Sequence, residues 1–480
     1  METTDKQIEP SVPSQQSRSF TERYGVALKM IVVGILTLLL LIPLGMIRSM
    51  IYERQNTKNS AVTDITSKWG GEQTVTGPCL VVPYTETVLE DKKEVQITRN
   101  LLVLPEVLNV TGNVSVEKRK RGIYDASVYD SEVTLAGEFD MGALNKMNIP
   151  QENIKWNEVQ VIMGLSDLKG ITEKVTLQSN GESVSFESGL PVENLASGTG
   201  MPASATVSDK AAVAYDYSGN SYDLFSVGLN AKLNSAGTDL SMQGKFPFDI
   251  LLRMNGSQGL YIVPIGRTTT LKMQSNWATP SFDGEFLPGN RDITKDGFTS
   301  DWKVLDLNRS YGQVVRADNV NTMNQMASSR FGVKFIQSVD QYQQNLRSVK
   351  YAILIILLTF VIVFFIEMLQ KKKVNPFQYL LVGLALVLFY SLLLSMSEVW
   401  GFNLAYVVAA LMTTLLIMIH LSSILKNRKQ GLLVGALLAF LYVFVFVLIQ
   451  MESFALLVGS LGLFAFLAVI MYFSKKIRFS

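Results

Sequence analysis

Six stretches of this chain are apolar enough to be membrane helices, and their placement constrains the fold more than any other feature. One stands alone, from about Met30 to Ile47. The other five crowd into about the last 130 residues: Tyr351 to Leu369, Tyr379 to Met396, Leu404 to Leu425, Leu432 to Ile449 and Phe454 to Phe473. Each is close to the roughly 20 residues that cross a hydrocarbon core about 30 Å thick. About 300 residues are left outside the bilayer between the first and second stretches, as one large water-facing insert.

The short loops set the expected orientation, because only Lys and Arg near the helix ends count. Lys371, Lys372 and Lys373 follow the second span, Lys426, Arg428 and Lys429 the fourth, and Lys475, Lys476 and Arg478 the sixth. The alternate turns, Ser397 to Phe402 and Gln450 to Ser453, hold none. Both termini are therefore expected in the cytoplasm, with the insert on the opposite side. The first apolar run reads as an uncleaved anchor. It is longer than the roughly 7 to 15 residues of a signal-peptide h-region, and Pro43 to Arg48 lacks a small-x-small cleavage pattern. The polar, Pro/Ser/Gln-rich residues before Phe20 predict a disordered tail.

Period-2 alternation dominates the insert. Leu108, Val110, Gly112, Val114 and Val116 alternate with polar residues, as do Val133, Leu135, Gly137 and Phe139. The same holds for Phe225 to Leu233 and for Thr269 to Trp277. Half-buried strands read this way, and Gly, Asn, Asp and Pro clusters punctuate between them. The fold class is an integral membrane α-helical bundle of six transmembrane helices, with a large mainly-β extracytoplasmic insert between helices 1 and 2. In residues, a cytoplasmic tail (1–25) precedes helix 1 (28–48). The insert (49–349), a five-helix bundle (350–473) and a short tail (474–480) follow. Two subregions are expected in the insert, split near Ser188 to Ser208. Ile51, Val62, Ile65 and Trp69, and later Ile336, Val339, Leu346 and Val349, fall near helical spacing and predict amphipathic stalks extending the first two spans.

Composition narrows the partners. The formal charge is +2 with 18% charged residues, so bulk charge signals no polyanion and no nucleic acid. Cys79 is the single cysteine, which excludes an intramolecular disulfide; the insert is held by its own core.

Several longer motifs resemble a known family. These are Tyr351 to Phe360, Asn375-Pro376-Phe377-Gln378-Tyr379 through Ala385, and Phe389-Tyr390-Ser391 through Glu398. In the insert they are Gly77-Pro78 with Pro83-Tyr84, Leu104-Pro105-Glu106, Arg121 to Tyr124, Pro280 to Pro288, and Gly297-Phe298 before Trp302. Together they closely resemble the CreD family of bacterial inner-membrane proteins, over nearly the whole chain after Lys29. Asn375 stands where that family usually has His, and Ser453 where an acid commonly follows Glu452, so no role built on either carries over. The resemblance implies the cytoplasmic membrane of bacteria with an outer envelope, control by a two-component regulator, and a link to envelope integrity and to tolerance of colicins and β-lactams. It implies no biochemical activity.

Candidate chemistry is sparse. No His pair, Cys pair, P-loop or G-x-S-x-G elbow occurs, so no catalytic, cofactor or metal residue is assigned. Gly198 to Ala203 formally matches a dinucleotide fingerprint, but Pro202 would interrupt the helix start and no βαβ unit surrounds it. The basic run Lys118 to Arg121 reads as a solvated hairpin end, with a binding patch for anionic lipid or glycan as the alternative. Charges in the membrane are expensive and draw more attention. Arg48, Glu398 and Glu452 share one layer by topology, a candidate polar cluster at the membrane interface; Glu367 and His420 are the other intramembrane polar groups. A non-catalytic envelope role fits best, with the bilayer and envelope proteins as partners; a transporter or lipid-handling permease built on the C-terminal helices is the alternative.

The orientation is checked by cysteine labelling. An impermeant thiol reagent applied from outside should modify a Cys placed at Ser310 and spare one placed at Asn427; modification at Asn427 would overturn the assignment.

Overall fold

The computed structural model describes residues 25–90, 93–190, 224–225, 227–233, 244–335, 341–370, 374–451 and 454–474. Contacts divide the chain into two units: residues 58–338, and residues 1–57 with 339–480.

In the first of these, strands β1 to β17, numbered along the chain, form two sheets. One runs β13 (Ser281–Gly284), β17 (Phe331–Lys334), β11 (Gly259–Ile262), β1 (Gln73–Glu90), β5 (Gln160–Leu165), β9 (Gly228–Lys232) and β8 (Glu187–Ser188). β2 (Lys93–Val103) folds back on β1 and also pairs with β16 (Val314–Arg316). The other runs β14 (Asn290–Ile293), β15 (Phe298–Leu305), β12 (Thr268–Ser275), β3 (Val107–Arg121), β4 (Tyr124–Asp140), β10 (Lys245–Ser257), β6 (Thr176–Ser179) and β7 (Glu182–Ser185).

The alternation read in the sequence decides which face of each strand is buried. Leu108, Val110, Val114 and Val116 of β3 point inward with Val133, Leu135 and Phe139 of β4, into one apolar core shared with Leu80, Val82, Ile262 and Phe331 of the other sheet. Each such side chain contributes about 1.5–3 kcal/mol by leaving water. Two sequential subregions are not formed. Strands from both sides of Ser188 pair directly, β4 with β10 and β5 with β9, and the parallel pairs β3–β12 and β1–β11 lace the halves together. Cys79 is buried in this core, where desolvation pushes its thiol up and leaves it unreactive.

The basic run Lys118 to Arg121 is exposed, the solvated hairpin end between β3 and β4 that its composition suggests, and its side chains still find partners. Arg119 lies 3.7 Å above the Trp69 ring, Lys118 is 5.5 Å from the Trp277 ring centre, and Arg121 pairs with Asp64. Stacking on an aromatic face uses the ring quadrupole while the charge stays wet. The dinucleotide-like stretch Gly198 to Ala203 lies outside the described residues.

The second unit is helical. The first helix, α1 (Gly25–Trp69), passes through Pro43 without a break and ends in residues of the β unit. A short helix of the β unit, α2 (Val320–Ser328), precedes β17. Then come α3 (Gln341–Lys350), α4 (Ala352–Gln370), α5 (Pro376–Trp400), α6 (Phe402–Leu425), α7 (Arg428–Gln450) and α8 (Ala455–Ser474). Among the described residues, four helices are long and apolar enough to cross a membrane: Lys29–Trp69, Pro376–Trp400, Phe402–Leu425 and Arg428–Gln450. The pair α3 and α4, bent by 41°, passes the same test together, and Ala455–Val469 is a shorter apolar helix. The described residues thus hold four or five candidate spans and a large β-rich domain.

Of the two stalks that the spacing predicts, the first is the continuation of α1 to Trp69. The second differs: residues 336–340 lie outside the described set, and α3 turns Tyr342, Asn345 and Ser348 inward rather than Leu346 and Val349. Its buried face is polar because it meets a polar end of α5, described below.

Small residues set the helix spacing. A Cβ on Gly431 would overlap Ser422, and one on Gly435 would press against Met418 at 3.1 Å, so α6 and α7 approach closely at their Gly-bearing face. On α5, a Cβ at Gly383 would overlap Leu40 of α1 and Phe360 of α4. Gly383→Leu should therefore lower the stability of the detergent-extracted protein by about 1–3 kcal/mol through overpacking, read as a drop in thermal midpoint. Val443→Leu, at a 62% exposed position, should leave it nearly unchanged.

Candidate functional site

The helical unit holds two carboxylates in polar surroundings, and the chain places them at opposite ends. Glu367 is near the end of α4 and Glu398 near the end of α5, the next helix and antiparallel to it. Each is met by a tyrosine hydroxyl and by a cation from α1.

Glu367 is 4% exposed, so its charge requires compensation. Lys29 of α1 donates to its Oε1, the Val374 amide donates to the same oxygen at 2.9 Å, and Tyr379 Oη donates to Oε2 at 2.8 Å. The Tyr379 ring is fixed edge-on to Phe360, with centroids 5.7 Å apart. This knot ties α1, α4, the loop after α4 and α5 into one cluster. Asn375 caps α5 by accepting from the Phe377 amide at 3.1 Å.

Glu398 is more open. Tyr342 Oη donates to it at 3.0 Å, and Arg54 Nε stands 3.9 Å away with half of its side chain exposed. One residue back, Ser397 Oγ accepts from Asn345 Nδ2 at 2.9 Å while donating to the Leu394 carbonyl. Tyr342, Asn345, Ser348 and Ser397 are all at most 1% exposed. Ser348 Oγ has no hydrogen-bond partner among the described residues.

The expected trio is therefore rearranged. Arg54, not Arg48, is the base beside Glu398; Arg48 is exposed and donates instead to Tyr52, one turn on, at 3.4 Å. Helical rotation explains this, since Arg48 and Arg54 lie six residues apart and so face different directions at 3.6 residues per turn. Glu452 lies outside the described residues. His420 is half-buried in α6 with no partner for Nε2 among them. Lys29, Arg54, Tyr342, Asn345 and Tyr379 escape a search for acids in apolar runs. The i, i+3, i+6 spacing of Tyr342, Asn345 and Ser348 is the signal that points to the two residues of α3; no local pattern marks Lys29, Arg54 or Tyr379.

Between the knots the helices are filled by aromatic rings. Phe389 lies 4.6 Å from Tyr442, 4.8 Å from Tyr390 and 5.4 Å from Tyr406 by ring centres, and Tyr406 also packs on Phe446. Tyr406 Oη donates to the Tyr442 carbonyl at 2.9 Å, cross-linking α6 to α7.

The β unit has a charged network of its own. Arg330, 7% exposed, stacks on Tyr261 at 4.1 Å and donates to Glu72 and Thr74. Tyr261 in turn donates to Asp283 at 2.9 Å, and Lys334 pairs with the same carboxylate. Burial works to raise the Asp283 carboxyl, but the Lys334 and Tyr261 hydrogen bonds outweigh it and hold the group below its ordinary range. These contacts join β1, β11, β13 and β17. Among the described residues, no group of three or more His, Cys, Asp or Glu side chains is placed to hold a metal ion.

The comparisons with known proteins agree with this architecture. A family model described as "Inner membrane protein CreD" matches residues 25–480. Inner membrane protein CreD of Escherichia coli (strain K12) is 33% identical over 444 residues, covering 92% of this chain and 90% of that protein.

Double-mutant cycles on the extracted protein test the two knots. Lys29→Met with Glu367→Gln, and Tyr342→Phe with Glu398→Gln, should each give an interaction term of roughly 0.5–3 kcal/mol. Arg48→Ala with Glu398→Ala should add within about 0.5 kcal/mol, the behaviour of groups that share no contact.

Proposed function

Because this chain belongs to the CreD family of multi-pass inner membrane proteins, we propose that it serves a non-catalytic role in cell-envelope integrity or the envelope stress response. It crosses the membrane six times, with both termini in the cytoplasm and the β-rich insert in the periplasm. The observation that carries the reading is how the helical unit uses its polar groups. Glu367 and Glu398 are bound by tyrosines and by cations of α1, and aromatic rings occupy the space between α5, α6 and α7. A bundle so arranged is an anchor. A solute path is typically built from discontinuous helices around a polar site near the midplane, and the 41° break between α3 and α4 lies at the end of α4 away from Glu367. The insert then presents its sheets to envelope partners.

The second reading, a transporter or lipid-handling permease, is favoured by the buried hydroxyls of Ser348 and Tyr390, which have no partner among the described residues. The two readings separate in a deletion strain scored for leakage of a periplasmic reporter enzyme under detergent challenge. Under the anchor reading deletion raises leakage, the wild type restores it, and Tyr390→Phe complements fully at equal membrane levels. Failure of Tyr390→Phe at normal levels would favour the permease, and a deletion without leakage would remove the envelope role.

A further inference from the structure

The outward face of the eight-stranded sheet carries a feature that the helical unit does not account for. Cross-strand register places Asp292, Thr299, Gln274, Asn113, Glu132 and Arg253 in a single row from β14 to β10. Six strands spaced by about 4.8 Å make this row roughly 24 Å long. Thr299, Gln274, Asn113, Glu132 and Arg253 are on the solvent side of their strands, because the alternate residues fill the core, and Asp292 belongs to the edge strand β14, which is exposed throughout.

Two concavities lie along the row and meet at Asn113. One, of about 340 Å³, is floored by Asn113, Gln274, Thr299 and Asp292 and rimmed by the turn from Thr294 to Gly297. That turn closes by a bond from the Thr294 amide to the Gly297 carbonyl at 2.8 Å. It requires glycine at 297, where φ is +150° and a Cβ would collide with the Ser275 carbonyl. The other concavity, of about 280 Å³, includes Ser115, Asp130, Glu132 and Asn255 beside Arg253.

The lining selects by chemistry. Asp292 and Asp296 repel an anion, and Phe298, the apolar member of the larger concavity, is only 3% exposed, so neither a phosphate nor an apolar ligand is served. The side-chain amides of Asn113 and Gln274 each donate and accept, and the Thr299 hydroxyl does both, a set suited to vicinal hydroxyls and acetamido groups. These three side chains and Asp292 make no hydrogen bond or ion pair among the described residues. Farther along the row, Arg253 is held by Glu132 and Glu173. Solvated sheet faces are also polar, but the neighbouring row sets Lys272 opposite Asp301, whereas this one runs four strands without a cation. We propose that this row is a binding site for an uncharged glycan chain, with Asn113 and Gln274 reading its hydroxyl or acetamido groups. The site stands on the geometry of the β unit alone and is read in vitro, so its failure leaves the leakage assay untouched.

The test is calorimetric titration of the full-length protein in nanodiscs with chitotetraose and with maltotetraose. At least one should bind, and Asn113→Ala and Gln274→Ala should each weaken binding about tenfold, or about 1.4 kcal/mol. Lys303→Ala, on the same sheet face outside the row, should not. Thr299→Tyr, which fills the larger concavity without touching the core, should abolish binding and serves where an alanine variant folds poorly. Binding of chitotetraose alone would identify an N-acetylated strand as the ligand, and binding of both a general polyhydroxyl site. No binding of either, or binding that survives these substitutions, would overturn the assignment.

Discussion

A charge in or near hydrocarbon has to be compensated, and in this protein that requirement fixes the first helix against the rest of the bundle. α1 is separated from α4 by most of the chain, so connectivity does little to hold it there. Lys29 meets Glu367 and Arg54 meets Glu398 instead. The two cations are about 25 residues apart, roughly 38 Å along a helix, which exceeds the hydrocarbon core and falls just short of the full bilayer with its headgroups, about 40–45 Å. The pairs therefore bracket the apolar stretch of α1, one beyond each of its ends. Gly383 completes the arrangement near the middle, where Leu40 fits against α5 because no side chain stands in its way.

The two ends are not equivalent. Glu367 is buried and triply bound, and removing one partner from a buried pair characteristically costs about 3–5 kcal/mol because it leaves an uncompensated charge. Glu398 faces a half-exposed Arg54 at 3.9 Å, a geometry in which an ion pair contributes about 0–1 kcal/mol. Its orientation comes from Tyr342, on a helix bent 41° away from α4. The Glu367 end is thus the rigid one. The Glu398 end leaves its carboxylate accessible and, among the described residues, the buried Ser348 hydroxyl unsatisfied.

The legibility of these features in the sequence follows from the range of the interactions behind them. Apolar runs and period-2 alternation are local, so the helices and the inward positions of β3, β4 and β12 are written in the residue order itself. Glu367 and Glu398 stand out because acids are rare in such runs. Their partners do not, because Lys29 and Glu367 are 338 positions apart and no local pattern records that contact. Depth alone points to Arg48, whereas helical phase selects Arg54 as the base that faces the bundle. The expected split of the insert fails for a related reason: a Gly/Ser-rich segment looks like a boundary, while the pairing of β3 with β12 and of β1 with β11 is non-local.

The same distinction separates structural polar groups from available ones. In the helical unit, Lys29, the Val374 amide and Tyr379 take up the bonding capacity of Glu367 and Tyr342 orients Glu398, and in the β unit Arg330, Glu72, Tyr261, Asp283 and Lys334 satisfy one another. Such networks hold strands and helices in register, and their groups are already committed. On the outward sheet face, Asn113, Gln274, Thr299 and Asp292 are aligned by strand register rather than by one another, so alignment there leaves their bonding capacity open. A water-facing domain offers partners what it leaves unpaired. The ordered polar row of the β unit is where this chain's recognition chemistry is concentrated.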